Sequence, residues 1–137
     1  MGAKLRRFED WPRRLDAAIE AARERPFCWG ENDCALFAAD VVVALTGEDL
    51  AAYGRGQYDS AETARRMINA GGGLAVIATK ALGEPIPVAQ ARRGDVVLRC
   101  GDHGPSLGIC LGARCAFTGI EGLVFLNLKE CEQAWHV

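Results

Sequence analysis

The sequence has no apolar run approaching the length of a membrane span: stretches such as Ala38–Leu45 are interrupted by Asp40 and fall far short of the roughly 20 residues that a spanning helix needs. It has no basic excess either. Against 16 Lys and Arg stand 18 Asp and Glu, a net charge of −2, which excludes a general nucleic-acid binder working through a dense cationic stripe. Its opening residues are charged but lead into no apolar h-region, and Arg6 stands where a myristoylation motif has Ser or Thr, so neither export nor a lipid anchor is expected. No Cys-x2-Cys pair occurs, and neither Cys28 with Cys34 nor Cys110 with Cys115 has a His partner nearby, so neither a zinc site nor a cofactor is expected. Histidine is scarce, with only His103 and His136. No repeat, linker or low-complexity segment divides the 137 residues, which suit a single domain, 1–137.

What is present is an apolar half, enough to bury roughly 68–70% of the unfolded surface in a domain of this size. Six cysteines (Cys28, Cys34, Cys100, Cys110, Cys115, Cys131) allow 15 pairings in an oxidising compartment; without export they are expected as reduced thiols, most of them small core residues.

Asp10 before Trp11-Pro12 reads as an N-cap, and Trp11, Leu15, Ile19 and Ala22 then recur on one face of an amphipathic helix over about 11–24, stopped by Pro26. Its other face, with Arg13, Arg14, Glu20, Arg23 and Glu24, reads as solvated surface rather than a site for an anionic partner. A turn-rich aromatic stretch from Pro26 leads to a helix over 34–46, apolar nearly all round, capped by Asn32 or Asp33 and closed by Gly47. After a loop over 47–57, the spacing of Asp59 and Glu62 is that of a capping box opening a helix to about Ala70, which Gly71-Gly72-Gly73 ends. A short helix over 74–82 closes at Gly83, and Pro85 and Pro87 force an extended connection.

From Gly94 the period changes. Asp95–Cys100, Ser106–Leu111, Arg114–Thr118 and Leu123–Leu128 are β-rich runs separated by glycine-containing turns, predicting an antiparallel sheet from about 95 to 137 and an α+β fold. If Gly112-Ala113 forms a two-residue turn, Leu111 faces Arg114 and Cys110 faces Cys115 across the hairpin. Neighbours of that kind can meet disulfide geometry, although simple burial is the plainer expectation. Trp11 and Trp29 read as core or groove-wall residues, and Trp135 as a docking anchor.

Cys34 opens the buried helix, where unpaired N–H groups and the helix dipole favour negative charge and can lower its pKa enough to activate a nucleophile, although position alone favours a small residue that fills space at the foot of the helix. The run Phe27-Cys28-Trp29-Gly30 followed by Asp33-Cys34 resembles the nucleophile segment of the NlpC-type, papain-like peptidoglycan peptidases. Ala91-Arg92-Arg93-Gly94-Asp95-Val96-Val97-Leu98 is similar to that family's Arg-Gly-Asp strand, and Leu107-Gly108-Ile109-Cys110-Leu111-Gly112 to its Val-Gly-Ile strand. The resemblance spans about Pro26 to Thr118; the compact form, with its Trp-Pro helix and Ala-Trp-x-Val end, looks most like the small members in phage and gene-transfer-particle tail clusters.

The resemblance implies a papain-like domain with Cys34 as nucleophile, yet the position just before the Val-Gly-Ile strand, where the family carries its catalytic His, is Ser106. The family's third polar residue falls near Phe117 or Thr118, with no His, Asn or Gln there. A turn in Gly101–Pro105 could swing His103 toward Cys34 as a relocated base, and His136 could approach from the last strand. Two expectations follow. One is a structural component of a phage-like tail tip, assembled in the bacterial host cytoplasm with hub and fibre-like proteins, whose peptidase-like fold has lost its base. The other is an active cysteine hydrolase that cuts peptidoglycan stem peptides with Cys34 and His103.

Overall fold

The structure is a computed structural model that describes residues 5–137. The first four residues of the opening segment, part of the basis for expecting no export signal or lipid anchor, lie outside the described residues. Four helices precede a five-stranded antiparallel sheet, an α+β arrangement: α1 Trp11–Ala22, α2 Cys34–Thr46, α3 Ala61–Ala70, α4 Leu74–Leu82, then β1 Val96–Gly101, β2 Gly104–Cys110, β3 Arg114–Gly119, β4 Gly122–Asn127 and β5 Gln133–Trp135. The strand order is β4-β3-β2-β1-β5. Among the described residues no helix is long and apolar enough to cross a membrane.

The element at the centre is α2. The extended backbone of Asp33 lets its carboxylate accept the Leu36 N–H at 3.0 Å, while Gly47, at φ 81°, closes the other end in the left-handed region that a Cβ disfavours. Between these caps Leu36, Phe37, Ala38, Ala39, Val41, Val42 and Leu45 are all buried, so the helix is enclosed between α1, α4 and the sheet. Its one charge, Asp40, sits on the remaining open stripe, where Arg55 meets it at 2.8 Å and Arg25 at 3.6 Å. Arg55 also grips Asp49 at 2.9 Å, so one guanidinium fastens the 47–58 loop to the helix flank.

Two caps differ from expectation. Asp10 holds the N-cap position of α1 without capping any N–H, because its carboxylate is drawn 2.8 Å from Arg14 one turn on. The capping box of α3 begins at Ser60 rather than Asp59: Ser60 Oγ accepts the Thr63 N–H and Thr63 Oγ1 accepts the Ser60 N–H, each at 3.1 Å.

Period-two alternation divides the sheet's side chains between two cores. Val96, Leu98, Leu107, Ile109, Ala116 and Trp135 face the helices, while Val97, Cys110, Cys115, Phe117 and Ala134 face a smaller outer cluster with Cys131, covered by Ile86, Val88, Leu126 and Leu128. Gly108 has a steric role here. A Cβ on it would lie 2.6 Å from both the Ala116 carbonyl oxygen and the Phe117 ring, so glycine is what lets β3 cross so close to β2. The strand β5 is too short to show alternation, yet it pairs with β1 (Val96 with Trp135, Leu98 with Gln133) and brings Trp135 into the main core. That tryptophan is fully buried and donates its indole N–H to Thr79 at 3.1 Å, so it anchors α4 to the sheet and is not available as a docking anchor for a partner.

Candidate functional site

Cys34 is the first residue of α2, and everything around it follows from how Asp33 is held. Asp33 is buried, and besides the Leu36 N–H it accepts the Gly30 N–H at 3.0 Å and the Tyr58 hydroxyl at 2.6 Å. Three donors on one buried carboxylate fix the turn before the helix, and with it the direction of the next side chain. Gly30 makes the turn feasible: at φ 81°, a Cβ there would run into the Tyr58 carbonyl.

The Cys34 residue keeps some exposure, but its sulfur is wrapped by protein. Burial pushes the thiol above its ordinary pKa, and the Asp33 carboxylate adds to the rise; the Leu107 and Ala35 N–H groups and the Ser106 hydroxyl pull the other way without reversing it. The lowering that a helix N-terminus can produce is therefore not what the site gives: removal of water from the sulfur outweighs the N–H donors.

The Leu107 N–H reaches the sulfur because of how β2 is paired. Cys110 directs its N–H to the Asp95 carbonyl on the β1 side at 2.8 Å, so by alternation Ile109 and Leu107 direct theirs away from β1. On that side β3 pairs with Ile109 and Cys110 only, leaving β2 open at Leu107 and Ser106, where Cys34 enters. Ser106 is thus the β2 side chain that meets the sulfur. Next to it lies an apolar cavity of about 90 Å³, bordered by Ala35, Ala38, Val42, Leu50, Leu74 and Leu107.

Residues 6–137 match the family described as Domain of unknown function (DUF6950). The chain belongs to that family. No curated protein matches it.

The two histidines of this DUF6950 domain are not at the sulfur. His103 is exposed at the tip of the β1–β2 hairpin, in the two-residue turn between the paired Gly101 and Gly104. It lies three residues from Ser106, roughly 10 Å at about 3.3 Å of rise per residue. His136 is held elsewhere, with Nδ1 2.9 Å from an oxygen of Asp95. Near the expected third polar position, Phe117 is packed into the outer core and Thr118 pairs with Leu123 in the sheet.

Sequence reasoning missed the most connected polar group of the DUF6950 domain, Asp95. Fully buried, it accepts the Arg7 guanidinium at 2.9 Å, the Arg92 N–H at 2.8 Å and the Val137 N–H at 3.0 Å, besides facing His136. Arg7 also reaches the Val137 carbonyl at 2.9 Å and that of Arg93 at 2.8 Å, which closes the cluster. The available signal was the Arg-Gly-Asp turn, whose Gly94 sits at φ 93°; a Cβ there would press on Arg7. Tyr58 was missed for a simpler reason, since no spacing rule links a loop tyrosine to a helix cap 25 residues earlier.

The thiols divide evenly. Cys110, Cys115 and Cys131 are buried as expected, but Cys28 and Cys100 are exposed and Cys34 is intermediate, so only half are core residues. Trp11 is a half-buried wall residue under the Arg7 guanidinium at 4.3 Å, and Trp29 stacks edge-on against Phe27 at 4.7 Å.

Proposed function

We propose that this domain is a structural or assembly component of a phage-like tail tip, built on a papain-like, NlpC-type domain that has lost its catalytic base. The observation that carries the non-catalytic part is the meeting of Cys34 with Ser106. A cysteine nucleophile needs a group that takes its proton near neutral pH, and a serine hydroxyl, which donates a hydrogen bond but is a very weak base, does not. The raised thiol pKa points the same way. The tail-tip assignment is supported by the order of the three motifs, with the Trp-Pro helix before them and the Ala-Trp-x-Val run after them. Its partners in this reading are hub and fibre-like tail proteins, and its place is the virion tail.

The competing reading, a hydrolase acting on peptidoglycan stem peptides, is favoured by the two N–H groups beside the sulfur, the kind of donors that hold an oxyanion. It requires His103 to leave the hairpin tip and reach Cys34.

The pH dependence of Cys34 alkylation, resolved by peptide mass spectrometry in the native protein and in His103→Ala, separates the two. The structural reading expects slow reaction with a midpoint above the roughly 8.5 of a free thiol, identical in both proteins. A midpoint well below that value, returning upward in His103→Ala, would overturn it in favour of the hydrolase. Proteomics of purified particles tests the assembly half: the chain should co-purify with hub and fibre-like proteins, and its absence from particles removes that half.

A further inference from the structure

The outer core contains three thiols that the reading above does not use. Cys110 and Cys115 are direct cross-strand partners. The hairpin between them closes with the Leu111 N–H on the Arg114 carbonyl at 2.8 Å, whereas the Cys110 N–H goes to Asp95, so the cysteines form a non-hydrogen-bonded pair. In such pairs the Cα atoms stand about 4.5 Å apart, inside the 4.4–6.8 Å range of disulfides. Cys131 arrives from the turn before β5. That turn is fastened to the same hairpin by the Leu128 N–H on the Ala113 carbonyl at 2.8 Å and carries Cys131 on the Leu128 carbonyl at 3.0 Å. Cys115 is the middle member, packed in one buried cluster with Cys110 and Cys131, and Cys131 alone of the three keeps any surface, at 8%.

We propose that Cys110, Cys115 and Cys131 form a redox modification site, in which a peroxide oxidises the cluster to one intramolecular disulfide that always includes Cys115. Among the described residues no three His, Cys, Asp or Glu side chains are arranged to hold a metal ion.

The electrostatics suit the sequence of steps. Cys115 keeps its own proton and, as the one donor available to either neighbour in turn, favours the thiolate of whichever flanking cysteine it faces; Arg99 assists at Cys131. The Cys131 thiolate attacks hydrogen peroxide: an S–O bond forms, the O–O bond breaks, and the departing hydroxide takes a proton to become water. Cys115 then attacks the sulfenic sulfur. The S–S bond forms as the S–O bond breaks, and the released hydroxide leaves as a second water with the Cys115 proton. Two thiols lose two electrons, and one peroxide becomes two waters. Attack by the Cys110 thiolate on the Cys115 sulfur then moves the disulfide inward and frees Cys131 as thiolate.

The sequence provides a direct readout. Trypsin cuts after Arg99, Arg114 and Lys129, separating the three cysteines into peptides 100–114, 115–129 and 130–137. The full-length protein is treated with equimolar hydrogen peroxide, its remaining thiols are alkylated under denaturing conditions, and it is digested without reduction. The expected product is peptide 115–129 cross-linked to 100–114 or 130–137 with the loss of two hydrogens, and the same product in Cys100→Ser. Because Cys115→Ala could unfold the outer core, the decisive variants are Cys131→Ser and Cys110→Ser, checked for fold by circular dichroism. The first removes the thiol that meets peroxide and should suppress both cross-links to 115–129, whereas the second removes the exchange step and should leave only the 130–137 cross-link. Sulfinic acids on separate peptides, cross-links that omit 115–129, or only intermolecular bonds through Cys28 or Cys100 would each overturn the proposal.

Discussion

Tyr58 donates its phenolic hydrogen to Asp33 at 2.6 Å, tying the 47–58 loop to the cap of the central helix. In Tyr58→Phe a buried carboxylate loses one of its three donors, and a hydrogen bond to a charged group is worth about 1.5–3 kcal/mol. With Tyr58 half-exposed, the lower end applies, about 1.5 kcal/mol off the unfolding free energy. Urea denaturation of the two proteins measures it; equal midpoints would mean that the bond does not hold the cap.

The same contacts set a pH dependence. Tyr58 has its pKa raised by burial and by the Asp33 carboxylate, and Cys34 is raised by burial, so folding favours the neutral form of each. Stability from these groups is fully present below their unfolded values, about 8.5 for a thiol and about 10 for a phenol, and is lost as pH rises toward the folded ones. The denaturation midpoint should therefore fall from about pH 8.5 upward, and less steeply in Tyr58→Phe. A flat alkaline limb would refute this.

Ser106→Ala removes a hydroxyl that lowers the Cys34 pKa. The alkylation profile of Cys34 should move to higher pH while the fold is kept. An unchanged profile would show that the hydroxyl does not address the sulfur, and the comparison with a lost catalytic base would lose its structural footing.

Asp95→Asn leaves the Arg7 guanidinium, which is only 12% exposed, without its counter-charge. Breaking a buried pair on one side costs about 3–5 kcal/mol, enough to remove a large part of the stability of a domain this size. Thermal unfolding provides the measure, and a loss under about 1 kcal/mol would mean that water has taken over the site.

Gly108→Ala forces a Cβ to within 2.6 Å of the Ala116 carbonyl oxygen and the Phe117 ring. Overpacking of this kind costs about 1–3 kcal/mol, and backbone on one side limits relaxation. A variant as stable as the parent would show that β3 can retreat.

The helices and the first four strands were legible because each has local markers. Asp33 and Gly47 bracket an apolar run, Gly71-Gly72-Gly73 interrupts another, and Gly112-Ala113 sets the register that places Cys110 opposite Cys115. Strand β5 was not legible, since Gln133–Trp135 has three residues and its place beside β1 is decided by a hydrophobic core that exists only after folding. The position of Cys34 was readable but its pKa was not: the helix terminus is a local feature, whereas the burial that outweighs it is supplied by β2, some 70 residues on. For the same reason Asp95 looked like an ordinary residue at a strand start; its partners Arg7, His136 and Val137 lie at the two extremes of the sequence.

That cluster has a mechanical consequence. Arg7 and Val137 are bonded to each other at 2.9 Å and both to one carboxylate, so two residues 130 positions apart meet at a single point. Tension applied between these two residues is borne first by the Arg7–Asp95–Val137 contacts, ahead of the ladder between β1 and β5. A short tether between these two residues would carry that load in parallel with the clasp, leaving the strands slack behind it.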